Sequence, residues 1–257
     1  MDIIIISLAA FFTAILTFYS GFGLGTILTP VFVIFFPVDI AIALSGVVHF
    51  INNLFKIMLV GKNADPVVLI KFGIPAIIAS FGGAWLLFRL SALPVIASYQ
   101  MNHHLHFITP VKLTIALLLV IFSVTEIVPS FKKLSFGKDK LVLGGLLSGF
   151  FGGLSGIQGA IRSAFLIRSG LSKETFIATG VVIACLVDFT RLSVYTTKLL
   201  AGNLQDNKTI LIVASVAAVS GAFIGNKLLK KVTFRFVRMF VTIMLILISI
   251  VLGTGLI

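Results

Sequence analysis

Charge is what this sequence has least of. Only 11% of its 257 residues are Asp, Glu, Lys or Arg, whereas soluble domains carry about a quarter. With 59% hydrophobic residues, a single aqueous globule could not hide the apolar surface, so the bilayer is the expected solvent. Cysteine is nearly absent too. Cys185 stands alone inside an apolar run, which excludes an intrachain disulfide and leaves no metal-ligand spacing. The start, Met1-Asp2-Ile3 onward, lacks the basic region and small-residue cleavage site of a signal peptide, so the first apolar run is expected to stay as a helix. There is no Walker motif, and no Ser-His-Asp arrangement has a credible context. No substrate-processing enzyme and no cofactor are expected.

Acidic residues are scarcer than basic ones, eight against twenty, for a net charge of +12. Such a surplus can mark a nucleic-acid binder. Here Lys and Arg sit in short breaks between long apolar runs, the pattern of positively charged cytoplasmic loops. Nucleic acid is therefore not an expected partner; a lipid bilayer is.

Eight runs are long enough to span a hydrocarbon core, near 3–20, 40–60, 67–90, 108–128, 140–157, 173–199, 208–228 and 233–256. Two apolar segments are short, roughly 24–36 and 160–169. Each follows a glycine-rich stretch, Gly21-Phe22-Gly23-Leu24-Gly25 and Gly152-Gly153-Leu154-Ser155-Gly156. Helices of that length reach only about 15–20 Å, so an extended glycine segment must supply the remaining depth.

The chain also repeats. A shift of 134 residues lays Gly25 on Gly159, Thr29 on Ser163, and Ser45-Gly46-Val47-Val48 on Thr179-Gly180-Val181-Val182. A slightly different shift pairs Ala79 and Gly83 with Gly221 and Gly225. The expected organisation is a first transmembrane repeat over 1–130, a basic cytoplasmic linker over 131–137, and a second repeat over 138–257. The fold class is an all-α polytopic membrane protein of about ten helical segments, eight long and two short, in two inverted repeats of five.

Charge selects how the segments thread. If the short segments are re-entrant and eight helices cross, nine basic residues fall on each side. If the short segments also cross, Lys56, Lys62, Lys71, Lys132, Lys133, Lys138, Lys140, Arg168, Lys173, Lys227, Lys230, Lys231, Arg235 and Arg238 share one side. Only Arg89, Lys112, Lys198 and Lys208 lie opposite. Fourteen against four is the asymmetry of a cytoplasmic face, and both termini then face outward. Five segments per half make the second repeat inverted, the usual build of secondary transporters, which bind substrate beside broken helices at the repeat interface.

Non-helical backbone inside a membrane must be buried in protein or reached by water. The glycine breaks before residues 25 and 159 therefore predict a cavity. The short helices start there, with free N–H groups and a positive dipole end. The bland alternative is that these glycines only let helices pack closely. Arg162, in Gln158-Gly159-Ala160-Ile161-Arg162-Ser163, is an intramembrane cation whose counterpart in the first half is Leu28. It either binds an oxyanion through its guanidinium, or pairs with an internal carboxylate or snorkels to the cytoplasmic face. Gln158 and Ser163 either add donors or cap the helix start. Gly23, Gly25, Gly156 and Gly159 would let backbone approach the ligand, and Asn52 and Asn53 would line the other half of the cavity.

Asp188 and Arg191 lie three residues apart on one helical face, with Tyr195 a turn further on. They read as a salt bridge, a gate or a coupling pair. His49 precedes the two Asn residues and either titrates in a proton relay or is a satisfied polar contact. His103, His104 and His106 read as a solvated loop, with metal binding the alternative.

These residues resemble the TauE/SafE sulfite-exporter-like family. The resemblance rests on two copies of a glycine-rich stretch followed by a short hydrophobic run. The first is Gly21-Phe22-Gly23-Leu24-Gly25-Thr26-Ile27-Leu28-Thr29-Pro30. The second is Gly153-Leu154-Ser155-Gly156-Ile157-Gln158-Gly159-Ala160-Ile161-Arg162-Ser163-Ala164-Phe165-Leu166. Leu24 stands where a glycine run would be expected, and Arg162-Ser163-Ala164 replaces the usual apolar-to-proline ending. The resemblance implies an inner-membrane permease for sulfite, sulfonates, thiosulfate or related organic anions, with a proton or sodium as candidate coupling ion. A homodimer is compatible with the sequence. The alternatives are an anion channel and a non-transporting membrane scaffold.

Overall fold

The structure, a computed structural model of the chain, describes residues 2–18, 23–127, 136–167, 169–198, 206–228 and 234–257. Most of the linker expected at 131–137 lies outside these residues, as do Gly21, Phe22, Lys132, Lys133, Arg168, Lys230 and Lys231. Ten helices follow in order: α1 (Asp2–Thr17), α2 (Gly25–Phe35), α3 (Val38–Val60), α4 (Pro66–Ser91), α5 (Pro110–Ile127), α6 (Leu141–Ser155), α7 (Gly159–Leu166), α8 (Lys173–Lys198), α9 (Lys208–Leu228) and α10 (Phe234–Gly253). Helices α3, α4, α8 and α9 belong to stretches long and apolar enough to cross a membrane. The chain is an all-α membrane protein. Pro75 has no N–H to give the carbonyl four residues back, and α4 widens into a π-turn over Leu69–Gly73 just before it.

Residues 97–108, expected as a loop containing three histidines, form a β-hairpin instead. Strands β1 (Ala97–Met101) and β2 (His104–Ile108) pair antiparallel, Met101 opposite His104. Asn102 and His103 both take positive φ, the requirement of a two-residue type I′ turn, and Asn tolerates it well. Tyr99 stacks on His106 and donates its hydroxyl to the Thr254 carbonyl at 2.8 Å. The hairpin is thereby tied to the end of α10.

Packing follows the repeat. Helices α1 and α9 form one major pair, and α6 and α4 the corresponding other. Helix α3 packs on α9 as α8 packs on α4, while α3 meets α8 and α5 meets α10. Glycine makes the two major pairs possible. Added Cβ atoms on Gly145, Gly149 and Gly153 of α6 would collide with the carbonyl oxygens of Phe72, Ala76 and Ser80 on α4. On α9, Gly221 and Gly225 face Phe11 and Ile15 of α1 in the same manner, and Gly83 faces Phe150. Phe150 occupies the place of Ile15 to within one residue of the 134-residue shift. Close backbone approach through small residues is how helices associate without a hydrophobic drive between them.

The short helix α7 returns rather than crosses. Helix α7 rises only about 12 Å over its length and runs back along α6. Gln158 lies against Gly152, Phe165 lies against Gly144, and the Ser148 hydroxyl donates to the Gln158 carbonyl. Phe136, before α6, stacks on Phe165, and a Cβ on Gly170 would meet the Lys138 amine at 3.4 Å. Both ends of the α6–α7 hairpin therefore lie at one end of the bundle. The Asp65 N–H donates to Thr179 Oγ1 at 2.8 Å, so the α3–α4 connection lies at that end too. This keeps Lys138 and Lys173 together, as in the fourteen-to-four partition and against the eight-crossing one, although α7 does not span by itself.

Two measurements check this account. Gly83→Ala is expected to cost about 1–3 kcal/mol by overpacking against Phe150, whereas Gly82→Ala next to it, facing open space, is neutral or stabilising by about 0.5 kcal/mol. Thermal unfolding in detergent reads both. In a background lacking Cys185, single cysteines at Lys138 and Ser172 are expected to react with impermeant thiol reagents from the same side, and one at Asn102 from the opposite side. Opposite labelling of 138 and 172 would rule out the hairpin.

Candidate functional site

The break before α2 and the break before α7 meet inside the bundle. Gly23 and Gly156 both have positive φ, which only glycine adopts without strain. A Cβ on Gly25 would stand 2.7 Å from the Gly156 carbonyl oxygen. Thr29 Oγ1 lies beside Gly156 and bonds Ser45 Oγ at 2.8 Å. The non-helical backbone predicted from the glycines is thus enclosed by protein.

Beside these breaks α3 and α8 cross, and their polar side chains interlock on Asp188. Arg191 donates from Nε to Asp188 Oδ1 at 3.0 Å, with Nη2 2.9 Å from the same oxygen. From the other half of the chain, His49 Nδ1 approaches Asp188 Oδ2 to 2.7 Å and Asn53 Nδ2 donates to it at 3.0 Å. All four residues are buried. Facing a carboxylate, His49 Nδ1 carries the proton, which leaves Nε2 turned towards Gly23. Tyr195 donates its hydroxyl to the Gly153 carbonyl, tying α8 to the end of α6.

Two equivalent glycines seat Arg162 and Arg191, the two buried arginines among the described residues. A Cβ on Gly46 would press on the Arg191 guanidinium at 3.2 Å, and one on Gly180 would meet Arg162 Nε at 3.4 Å. These are the glycines of the repeated Ser45-Gly46-Val47-Val48 and Thr179-Gly180-Val181-Val182 segments. The repeat marked them in the sequence; their use as guanidinium seats needed the fold.

A cavity of about 30 Å³ opens next to this cluster, room for about two water molecules. Its lining includes Thr17, Gly23, His49, Asn53, Lys56 and Arg162, closed on the far side by Phe176 to Ala184 of α8. Of the residues singled out in the sequence, Gly23, His49, Asn53 and Arg162 reach the cavity. Gly25, Gln158, Gly159 and Ser163 stand behind it in the hairpin tips, and Asp188, Arg191 and Tyr195 form the adjacent cluster. Asn52 is fully buried and away from the lining, with neither amide atom hydrogen-bonded among the described residues.

Lys56 corrects the sequence reading. Counted there with the cytoplasmic loop lysines, it is instead buried, 4% exposed, with its amine over the Phe18 ring at 5.2 Å. Removing it from the fourteen leaves the charge asymmetry intact. No group of three His, Cys, Asp or Glu among the described residues is placed to hold a metal ion.

Fold and site together describe a multi-pass helical membrane protein with a small interior cavity lined by His49, Lys56 and Arg162. Residues 6–252 match the family described as sulfite exporter TauE/SafE, and the chain belongs to that family. It is thereby placed among membrane transporters for sulfur anions. No curated protein and no solved structure matches it.

The cluster predicts a double-mutant result. Asp188→Asn leaves Arg191 buried without its carboxylate and is expected to cost about 3–5 kcal/mol. Asp188→Asn combined with Arg191→Met, which removes both charges, is expected to recover most of that loss. Additive losses in thermal unfolding would show that the two residues act separately.

Proposed function

We propose that this protein is a secondary permease of the inner membrane that carries a small oxyanion, sulfite, a sulfonate or a related organosulfur or organic anion, by alternating access. The observation that carries the reading is the charge of the chamber. Lys56 and Arg162 line it, while the buried carboxylate beside it, Asp188, is engaged by Arg191, His49 and Asn53. Buried charge of one sign in a membrane protein is costly and marks a substrate path. An anion would find basic side chains from α3 and α7 on the chamber wall, and a guanidinium holds an oxyanion through two oxygens.

Packing of the two halves by the same rule supports inverted repeats over 1–130 and 138–257, with the substrate at their junction. The chamber lies towards the end that carries Asp65 and Thr179. The charge partition assigns that end to the cytoplasm, so the chamber would lie nearer the cytoplasmic face. His49 bridges the chamber and Asp188, which makes it the residue placed to exchange a coupling proton. A channel would need a continuous polar path, and the polar side chains here are gathered at one level instead.

Arg162→Ala is expected to insert and fold yet lose transport, and with it the thermal stabilisation that a bound anion gives by mass action. The assay is a panel of sulfite, thiosulfate, sulfate, taurine, sulfoacetate and simple carboxylates on purified protein, followed by uptake into proteoliposomes. Wild-type transport by Arg162→Ala would end the assignment. A protein that no anion stabilises or crosses would point to a scaffold.

A further inference from the structure

Among the described residues, Ser7, Asn52, Ser215 and Thr242 are uncharged, buried or half-buried side chains in which no polar atom finds a hydrogen-bond partner. Thr242 stands apart on α10, which packs mainly on α5. The other three lie on α1, α3 and α9, and α9 packs on both of the others. Register brings them into one line. Gly221 of α9 meets Phe11 and Ala14 of α1, and Gly225 meets Ile15 and Phe18, so the two helices run parallel. Six residues back on both, Ser215 comes level with Ile5 to Leu8, and hence with Ser7. On its other side the repeat sets Ser215 against α3. A Cβ on Gly73 of α4 would meet Ile183 and Leu186 of α8, each at 3.9 Å. The shifts that lay Gly83 on Gly225 and Ser45 on Thr179 put Ser215 in the place of Gly73, and His49 and Asn52 in the places of Ile183 and Leu186.

The second half carries no such line. Gly73, Ile183 and Leu186 are apolar, and Val142 holds the place of Ser7 on the shift that lays Ile15 on Phe150. The scaffold therefore does not need these polar groups, and bare polar atoms inside a membrane are costly. Ordered water satisfies such atoms where the site is polar and roomy. Room is there: Ala214 of α9 stands where α4 has Phe72, and both positions are fully buried.

We propose that Ser7, Ser215 and Asn52 bind a file of waters between α1, α9 and α3, and that this file conducts the coupling proton between the outward side and His49. The inference rests on the transport reading above, with His49 as the proton exchanger. Thr17 and Phe18, at the end of α1, reach the chamber. Ser7 lies about 15 Å back along that helix, towards the start that the charge partition places outward. Hydroxyl and amide groups both donate and accept, so they hold waters without fixing their direction. The step needs no other reactant. A hydronium gives its proton to His49 Nε2 and becomes water, while the proton on Nδ1 stays against Asp188 Oδ2. The imidazolium so formed faces Asp188 and Arg191 of α8, Lys56 of its own helix and Arg162 across Gly23. Of these only the carboxylate favours its charge. A sodium ion would find neutral oxygens alone at the three stations.

Two measurements test the file. In a background lacking Cys185, Ser215→Cys and Asn52→Cys are expected to react with external silver ion, which is small enough to follow single waters. Leu186→Cys, the repeat equivalent of Asn52→Cys, is expected to react at least about tenfold more slowly. Protection from a maleimide added after denaturation reads the reaction. The second measurement uses Asn52→Leu with Ser215→Gly, which gives the first half the pair that the second half already packs and leaves the chamber lining untouched. In proteoliposomes this double variant is expected to keep anion exchange at equal concentrations and to lose uptake driven by a pH gradient at least about tenfold. Ser215→Thr, which keeps the hydroxyl, is expected to keep the driven uptake.

Unreactive cysteines at both positions, or full pH-driven uptake by the double variant, would overturn the water file and leave the transport reading standing. Uptake driven by sodium and not by pH, and lost in the double variant, would also overturn it and make these residues cation ligands. If wild type moves no anion, the transport reading has failed and the proton path falls with it.

Discussion

A single carboxylate holds the two halves of this protein in register. Asp188 belongs to the second half, yet two of its partners, His49 and Asn53, belong to the first. An ionised carboxylate inside a bilayer is tolerated only when its oxygens are fully engaged. Here one oxygen takes Arg191 and the other takes His49 and Asn53. Helices α3 and α8 must therefore cross at this level and no other, because a shift of one turn along either would strand the charge. The cluster is a specificity device more than a source of stability. Replacing such a group by apolar side chains is often neutral, whereas breaking it is not.

The hairpin tips depend on that crossing. Gly156 packs against Gly25, and the Arg191 guanidinium closes over both Gly46 and Gly156. Backbone that leaves the helical path inside the membrane needs such an enclosure. The glycines give it in two ways. Positive φ at Gly23 and Gly156 turns the chain, and missing Cβ atoms at Gly25 and Gly46 let the opposite tip and the guanidinium come close. Further out, the same economy of side-chain volume lets α6 lie on α4 and α9 on α1, so the hairpins are held on both flanks by backbone-to-backbone contact.

Helix positions were legible because bilayer burial writes long apolar runs into the chain, and all ten expected segments exist with ends a few residues from those expected. The small-residue contacts were legible too: the paired glycines Gly83, Gly221 and Gly225 each face a backbone carbonyl of a neighbouring helix. Three things were not. The 97–108 hairpin hides in a stretch whose histidines and polar residues read as loop, since its turn depends on two residues with positive φ and its anchor is Thr254, far along the chain. The return of α7 along α6 has no local signal, because a short apolar helix looks the same whether it crosses or comes back. Lys56 was misplaced because a lysine near the end of an apolar run reads as a boundary residue. Its burial comes from the end of α1 and the start of α8 folding over it, and both are distant in sequence.

The symmetry and its violation carry different duties. Gly46 and Gly180 are equivalent seats, and each holds a guanidinium. Both arginines come from the second half, however, and only Arg162 faces the chamber; Arg191 is locked on Asp188. The first half answers with Lys56, which has no counterpart among the basic residues of α8. Equivalent glycine seats are therefore given an unequal set of basic side chains, and the two that line the chamber sit on α3 and α7. Without a ligand, Lys56 and Arg162 repel each other across the interface. An anion bound between them would, on the transport reading, draw α3 and α7 together. On the transport reading, substrate occupancy and the relative position of the halves are then coupled through one electrostatic contact, which is the differential interaction that an alternating-access change requires.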